Sequence, residues 1–263
     1  MKRLLNLSHP VFIGILFIAF FSSTCRQDTS GNTTQKPNDE ATDYFRTLLV
    51  IGDDRSGSTT DIRKLTTGEY KDIFNTISQK GGGTVAVCLI GNPLDQSREP
   101  YILQLNPLQN TMPFDPRDTK LTLTEKSKIK LNNDKIIADN KKALEANTSK
   151  IDQFISTIVN PNIINYKPSG VDRTDLDDAL GRINTLIHEP GYQNYDQITV
   201  VLLSDGVNEP SNAKVDIKSR ISHPNAHVCL VGWQTTVNCF DVNKTDNYSA
   251  KEGMIEEIRN LKK

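Results

Sequence analysis

The sequence predicts an α/β fold: a doubly wound, mostly parallel sheet flanked by helices, with a helical insertion. Apolar runs rich in Val, Ile and Leu recur at 47–51, 84–90, 198–203 and 226–231. Their hydrophobicity is continuous, which marks strands covered on both faces. Helical periodicities lie between these runs, the alternation that builds a parallel sheet. Two of the runs are followed directly by loops rich in Asp, Ser and Gly, and open α/β sheets place their ligand sites past the carboxyl ends of strands.

Taken in order, the run at 47–51 opens the sheet. A helix near 61–79 follows, marked by Ile62, Leu65, Ile73, Phe74 and Ile77, with Gly68 as a possible break and Gly81-Gly-Gly83 as its stop. After the strand at 84–90, Tyr101-Ile-Leu-Gln-Leu105 alternates apolar and polar residues and reads as an edge strand. The insertion at about 107–165 is rich in Lys, Asn and Asp. Its thin stripe of Ile129, Ile136, Leu144, Ile151 and Ile158 predicts one long helix, or two broken near Asn132-Asn133. Such a helix lies against the sheet, stands over the loops, or offers a coiled-coil surface. Leu176, Ala179, Leu180, Ile183 and Ile187 share one helical face in a segment from Thr174 to His188, stopped by Pro190. The last helix is expected at about 250–261.

The ends of the chain carry different information. Lys2 and Arg3 precede the apolar run Val11–Phe21, which is short for a membrane-spanning helix, and Ser22-Ser-Thr24 leads into Cys25. This reads as an export signal. The small residues before Cys25 resemble the lipobox of bacterial lipoproteins, although Ser22 stands where that family usually has Leu; the resemblance implies lipidation at Cys25. Residues 26–43 hold a single hydrophobic residue, Ala41, and read as a flexible tether. Residues 44–263 are then one domain. The expected location is the cell envelope, lipid-anchored and facing the periplasm or the surface.

A net charge of −1 and the lack of a basic patch interleaved with aromatics argue against nucleic acid as a partner. Of the four cysteines, Cys88 and Cys229 sit in apolar runs as core thiols, and Cys239 falls in a polar segment; a Cys229–Cys239 bridge stays open. The four histidines form no catalytic or zinc-binding pattern. Trp233 reads as a packing residue.

The candidate site begins with Asp54-Arg-Ser56-Gly-Ser58, where one carboxylate and two hydroxyls alternate just past a strand. Only hard oxygen donors are offered, which suits Mg²⁺, Mn²⁺ or Ca²⁺. Thr174, in Ser169-Gly-Val-Asp-Arg-Thr174, and Asp205, in Ser204-Asp-Gly206, could complete the set. Each motif alone has an ordinary reading: a turn, or in the case of Thr174 a helix N-cap with Asp177 three residues on. Asp53 should point away from Asp54 if the strand continues. Glu209 and Asp172 read as rim residues.

In this order the motifs resemble the von Willebrand factor A (VWA) family, over about residues 44–262. The resemblance implies a VWA/Rossmann-like fold and a metal-ion-dependent adhesion site. There Ser56 and Ser58 would ligate the cation, Thr174 would do so directly or through water, and Asp54 and Asp205 would anchor coordinated waters. The implied protein is a non-enzymatic binder, with a protein or other acidic ligand completing the metal shell. A structural subunit acting through the insertion is the alternative. A metal-assisted hydrolase is less favoured, since the motifs hold no general base beyond the aspartates.

Overall fold

The computed structural model describes residues 44–56, 63–92, 99–168, 173–211 and 214–261, all of which fall in the unit Ala41–Lys263. The leader, Cys25 and the tether lie outside the described residues, as do Ser58 and Asp172. The strands are β1 (Thr47–Asp54), β2 (Gly83–Ile90), β3 (Tyr101–Leu105), β4 (Gln197–Leu203), β5 (Ile221–Val231) and β6 (Phe240–Tyr248). The helices are α1 (Thr67–Gln79), α2 (Leu123–Phe154), α3 (Leu176–Ile187) and α4 (Lys251–Asn260).

The strands form one sheet in the order β3-β2-β1-β4-β5-β6. Every neighbouring pair is parallel except β2–β3. All eight residues of β1 are buried, as continuous hydrophobicity requires. Leu49, Ile51, Val85 and Val87 pack on one side with Tyr70, Phe74 and Ile77 of α1 and Ile255 and Ile258 of α4. Leu48, Val50, Val200 and Leu202 pack on the other with Leu176, Leu180 and Ile183 of α3. The chain therefore has an α/β sheet with helices on both faces, and strand order reverses at β1.

Local chemistry sets the helix ends. Thr66 caps α1 in a reciprocal capping box with Glu69, which places Gly68 in the first turn without breaking the helix. Gly81, Gly82 and Gly83 then turn the chain into β2 with positive φ throughout.

The insertion forms a single helix, α2, of 32 residues. It runs on into a ten-residue π-helical stretch, Ile155–Ile164, that accommodates Pro161. Of the two alternatives, one long helix or two broken near Asn132-Asn133, the first holds, because the Asn133 amide is engaged elsewhere and does not compete with its own backbone. Asn133, Asn140 and Asn147 form a ladder down one side of α2. Asn147 Oδ1 accepts the Asn106 N–H at 2.7 Å and its Nδ2 donates to Asn106 O at 3.1 Å. Asn140 grips Gln109 in the same two-bonded way, both bonds at 2.9 Å. Asn133 does so with Met112, again at 2.9 Å for both bonds.

The match is geometric. Seven helical residues rise about 10.5 Å, and three residues of extended chain span about 10 Å. The ladder thus carries the chain beyond Leu105 as an extended strap antiparallel to α2. Gly83 pairs with Leu105 at the start of β2, so the strap and the first half of α2 lie beyond the amino ends of the strands. Ile151 and Phe154, in the second half, enter the core. The helix therefore does not stand over the candidate metal loops.

Strand β6 is absent from the sequence reading. Phe-Asp-Val-Asn-Lys-Thr-Asp-Asn-Tyr has no apolar run, since an edge strand buries little and is held by backbone pairing with β5. Cys88, Cys229 and Cys239 are all free and buried. Cys239 is thus a core thiol, packed on the opposite sheet face from Cys229, and the two do not pair.

Candidate functional site

Asp54 is the last residue of β1, at the point where strand order reverses, and it is completely buried. Its Oδ1 accepts the Ser56 N–H at 2.9 Å, and its Oδ2 accepts the Ser204 hydroxyl at 2.8 Å. Ser204 Oγ in turn accepts the Gly206 N–H at 3.2 Å. One carboxylate therefore ties the loop after β1 to the loop after β4. Burial raises the Asp54 pKa above the usual carboxylate range, opposed by hydrogen bonds from Ser56 and Ser204 and assisted by the Asp205 charge. Asp205 is partly exposed; its Oδ1 accepts the Val207 N–H at 2.9 Å and its carbonyl takes the Gln234 N–H at 2.9 Å.

Thr174 reaches this region through its backbone. Its N–H donates to Glu209 O at 3.2 Å and its C=O accepts the Glu209 N–H at 2.8 Å. The next residue, Asp175, donates its N–H to Gly91 O, just past β2, at 3.0 Å. A single segment is thus fastened to the loops on both sides of the β1 end, and Thr174 is 5% exposed there. Thr174 is not the cap of α3. Asp175 is, its side chain accepting the Asp178 N–H at 3.1 Å. The Leu176 and Asp177 N–H groups are met by Asn208 Oδ1 at 3.0 and 3.3 Å. Glu209, read as a rim residue, anchors Thr174 by its backbone. The structure thus brings Asp54, Ser56, Thr174 and Asp205 to adjoining loops, while Ser58 lies outside the described residues.

Two supports of this site were not legible. Asp53 does point away from Asp54, into a buried group in which Oδ2 accepts Arg55 Nη2 at 2.6 Å and the Tyr70 hydroxyl. Arg55 Nη2 also donates to Leu65 O at 2.8 Å. This brace fixes the loop that carries Ser56. Burial raises the Asp53 pKa, against the lowering effect of the Arg55 charge. Asn208 is the second support, and no local pattern marks a side chain that caps a helix more than thirty residues away.

Gly206 is demanded twice over. Its φ is +79°, and a Cβ there would lie 2.6 Å from Thr235 Cγ2 and 2.7 Å from the Trp233 ring. Trp233 is buried against Phe240, as a packing residue should be. Gly206→Ala is expected to cost about 2–4 kcal/mol from the left-handed backbone and the overlap together. Thermal unfolding measures this; a change below about 0.5 kcal/mol would mean the turn relaxes freely.

Outside these loops, His227 lies beside Asp246 and Glu257. The sequence reading assigned no metal pattern to the histidines. The available signal was the alternation His227-Val-Cys229 on a strand, which puts both side chains on one face.

No protein-family model matches the chain, and no curated protein matches it. Among solved structures, proximal thread matrix protein 1 from the mussel byssus is similar at 12% identity and TM-score 0.30, covering 83% of this chain and 46% of that one. The human COPII-coat protein Sec24c is similar at 9% identity and TM-score 0.31, covering 85% of this chain and 32% of that one. This chain therefore spans less than half the length of either. At such TM-scores neither likeness carries an argument about fold family or function.

Proposed function

We propose that this protein is an exported, lipid-anchored binding protein of the cell envelope with a VWA-like domain. In this reading the domain takes a partner through a divalent cation, Mg²⁺ by preference, held by Asp54, Ser56, Ser58, Thr174 and Asp205. The supporting observation is the meeting of three sequence-distant loops at the end of β1, where strand order reverses. Donor chemistry fits: hydroxyls and carboxylates are hard ligands, and a site with few charges keeps a net positive cation able to accept a partner carboxylate. No step in this reading breaks a covalent bond, and we assign the protein no enzymatic activity. Cys25 supplies the lipid anchor.

The electrostatics of Asp54 point the same way. Its folded-state pKa is raised, so the native protein holds that proton to higher pH than the unfolded chain. The associated stability is present below the ordinary carboxylate value and is lost as pH rises through the raised one. Above that raised value the ionised carboxylate costs the fold stability, and a cation beside it would offset that cost. Asp54→Asn is expected to abolish Mg²⁺ and Mn²⁺ binding by titration calorimetry while unfolding, in EDTA, at the same or a higher temperature than the wild type. Absence of ion binding by the wild-type protein would end this reading, as would an Asp54→Asn protein that still binds.

A structural role through the first half of α2 is the second reading. Leu123 and Leu131 are 84% and 73% exposed there, and Ile137 is also exposed. Replacing all three with Ser should leave ion binding intact, so loss of an envelope partner from that variant alone would favour it.

A further inference from the structure

We propose that His227, Cys229, Asp246 and Glu257 form a second metal site, of zinc type, joining the edge strand β6 to α4. It lies toward the amino ends of the strands, away from Asp54, and is independent of the binding function proposed above. His227 and Cys229 are alternate residues of β5 and share a face. Their registered neighbours on β6 are Lys244 and Asp246, and Glu257 comes from the overlying α4. The ligating atoms of His227, Asp246 and Glu257 lie within 4.8 Å of one another, and Cys229 Sγ, outside that trio, meets it through His227 Nε2.

The decisive feature is that two groups converge on the same imidazole nitrogen. His227 Nε2 is 2.8 Å from Asp246 Oδ2 and 3.6 Å from Cys229 Sγ. A catalytic relay would need the carboxylate and the thiol on opposite nitrogens. A common centre explains the convergence better. Nitrogen and sulfur bound tetrahedrally to zinc, at about 2.0 and 2.3 Å, stand about 3.5 Å apart. That matches the observed nitrogen–sulfur separation. Asp246 would shift by roughly half an ångström to reach the corresponding nitrogen–oxygen spacing.

Lys244 now holds the two carboxylates together. Its ammonium lies 2.7 Å from Asp246 Oδ2 and 3.1 Å from Glu257 Oε1. The side chain is 53% exposed, so a divalent ion can displace it into solvent. A cavity of about 480 Å³ lined by His227, Lys244 and Glu257 provides the route in. One nitrogen, one thiolate and two carboxylates form a mixed donor set that suits zinc rather than Mg²⁺. On binding, Cys229 gives up its thiol proton to solvent, and the imidazole proton that Nε2 now donates to Asp246 moves through solvent to Nδ1, which frees the Nε2 lone pair for the ion.

Cobalt(II) is the probe, since thiolate ligation produces a charge-transfer band that all-oxygen sites lack. Full-length protein should develop this band with one equivalent of Co²⁺ and lose it on adding Zn²⁺. Cys229→Ser should abolish the band, and His227→Ala should weaken affinity at least tenfold. Asp54→Asn should leave both unchanged, which separates this site from the one at β1. Lys244→Met, which removes the competing cation, should tighten binding severalfold. No thiolate band in the wild type, a band that survives Cys229→Ser, or unaltered or weaker binding in Lys244→Met would each overturn the proposal.

Discussion

Asp53→Ala is expected to lower the free energy of unfolding by about 3–5 kcal/mol, because it strands a buried charge. Asp53 is completely inaccessible and the Arg55 side chain is 8% exposed. A buried pair is not in itself stabilising, since desolvation offsets much of the attraction; removing one partner is what costs. Without the carboxylate, the Arg55 guanidinium loses its ion-pair partner and the Tyr70 hydroxyl loses its acceptor. Urea unfolding measures the effect: at slopes of about 1–3 kcal/mol per molar, the midpoint should fall by more than about 1 M. Adding Arg55→Met should recover much of the loss, the signature of coupled residues in a double-mutant cycle. A single-mutant effect below about 1 kcal/mol would show that water reaches this pair. The same variant should also bind cation more weakly, since the brace holds the loop that carries Ser56.

Asn147→Ala is expected to cost about 2–4 kcal/mol, the largest effect in the ladder. Asn147 is fully buried, and its loss leaves both backbone groups of Asn106 and the Ser78 hydroxyl without that partner. Asn140→Ala should cost about half as much, because its contact with Gln109 is only part-buried and water can replace it. The Asn133 bonds to Met112 are exposed, and Asn133→Ala should fall within about 0.5 kcal/mol of the wild type. Denaturation of the three variants tests the order. Equal costs would show that the ladder acts by shape and not by satisfying buried backbone.

Much of the framework was legible from residues that bury side chains. The runs at 47–51, 84–90, 198–203 and 226–231 are the cores of β1, β2, β4 and β5, and Tyr101–Leu105 is the antiparallel edge strand β3. Strand β6 escaped because it is polar and pairs through its backbone. Asn133, Asn140 and Asn147 stood seven residues apart in plain view, but an amide spacing has no meaning until an extended partner of matching repeat lies beside it. Asp53 could be predicted to turn away from Asp54; that it turned toward Arg55 and Tyr70 could not.

The sequence by itself determined the alternation of strands and helices, the turn at Gly81-Gly-Gly83, and the order of the Asp54, Thr174 and Asp205 motifs. These follow from burial periodicity and turn chemistry, which act between near neighbours in the chain. Only the tertiary structure decided that Thr174 is fastened to Glu209, that Asn208 caps α3, and that His227 and Cys229 meet Asp246 under α4. Polar groups satisfy one another through direction and distance over a few ångströms, and folding alone brings such partners within reach.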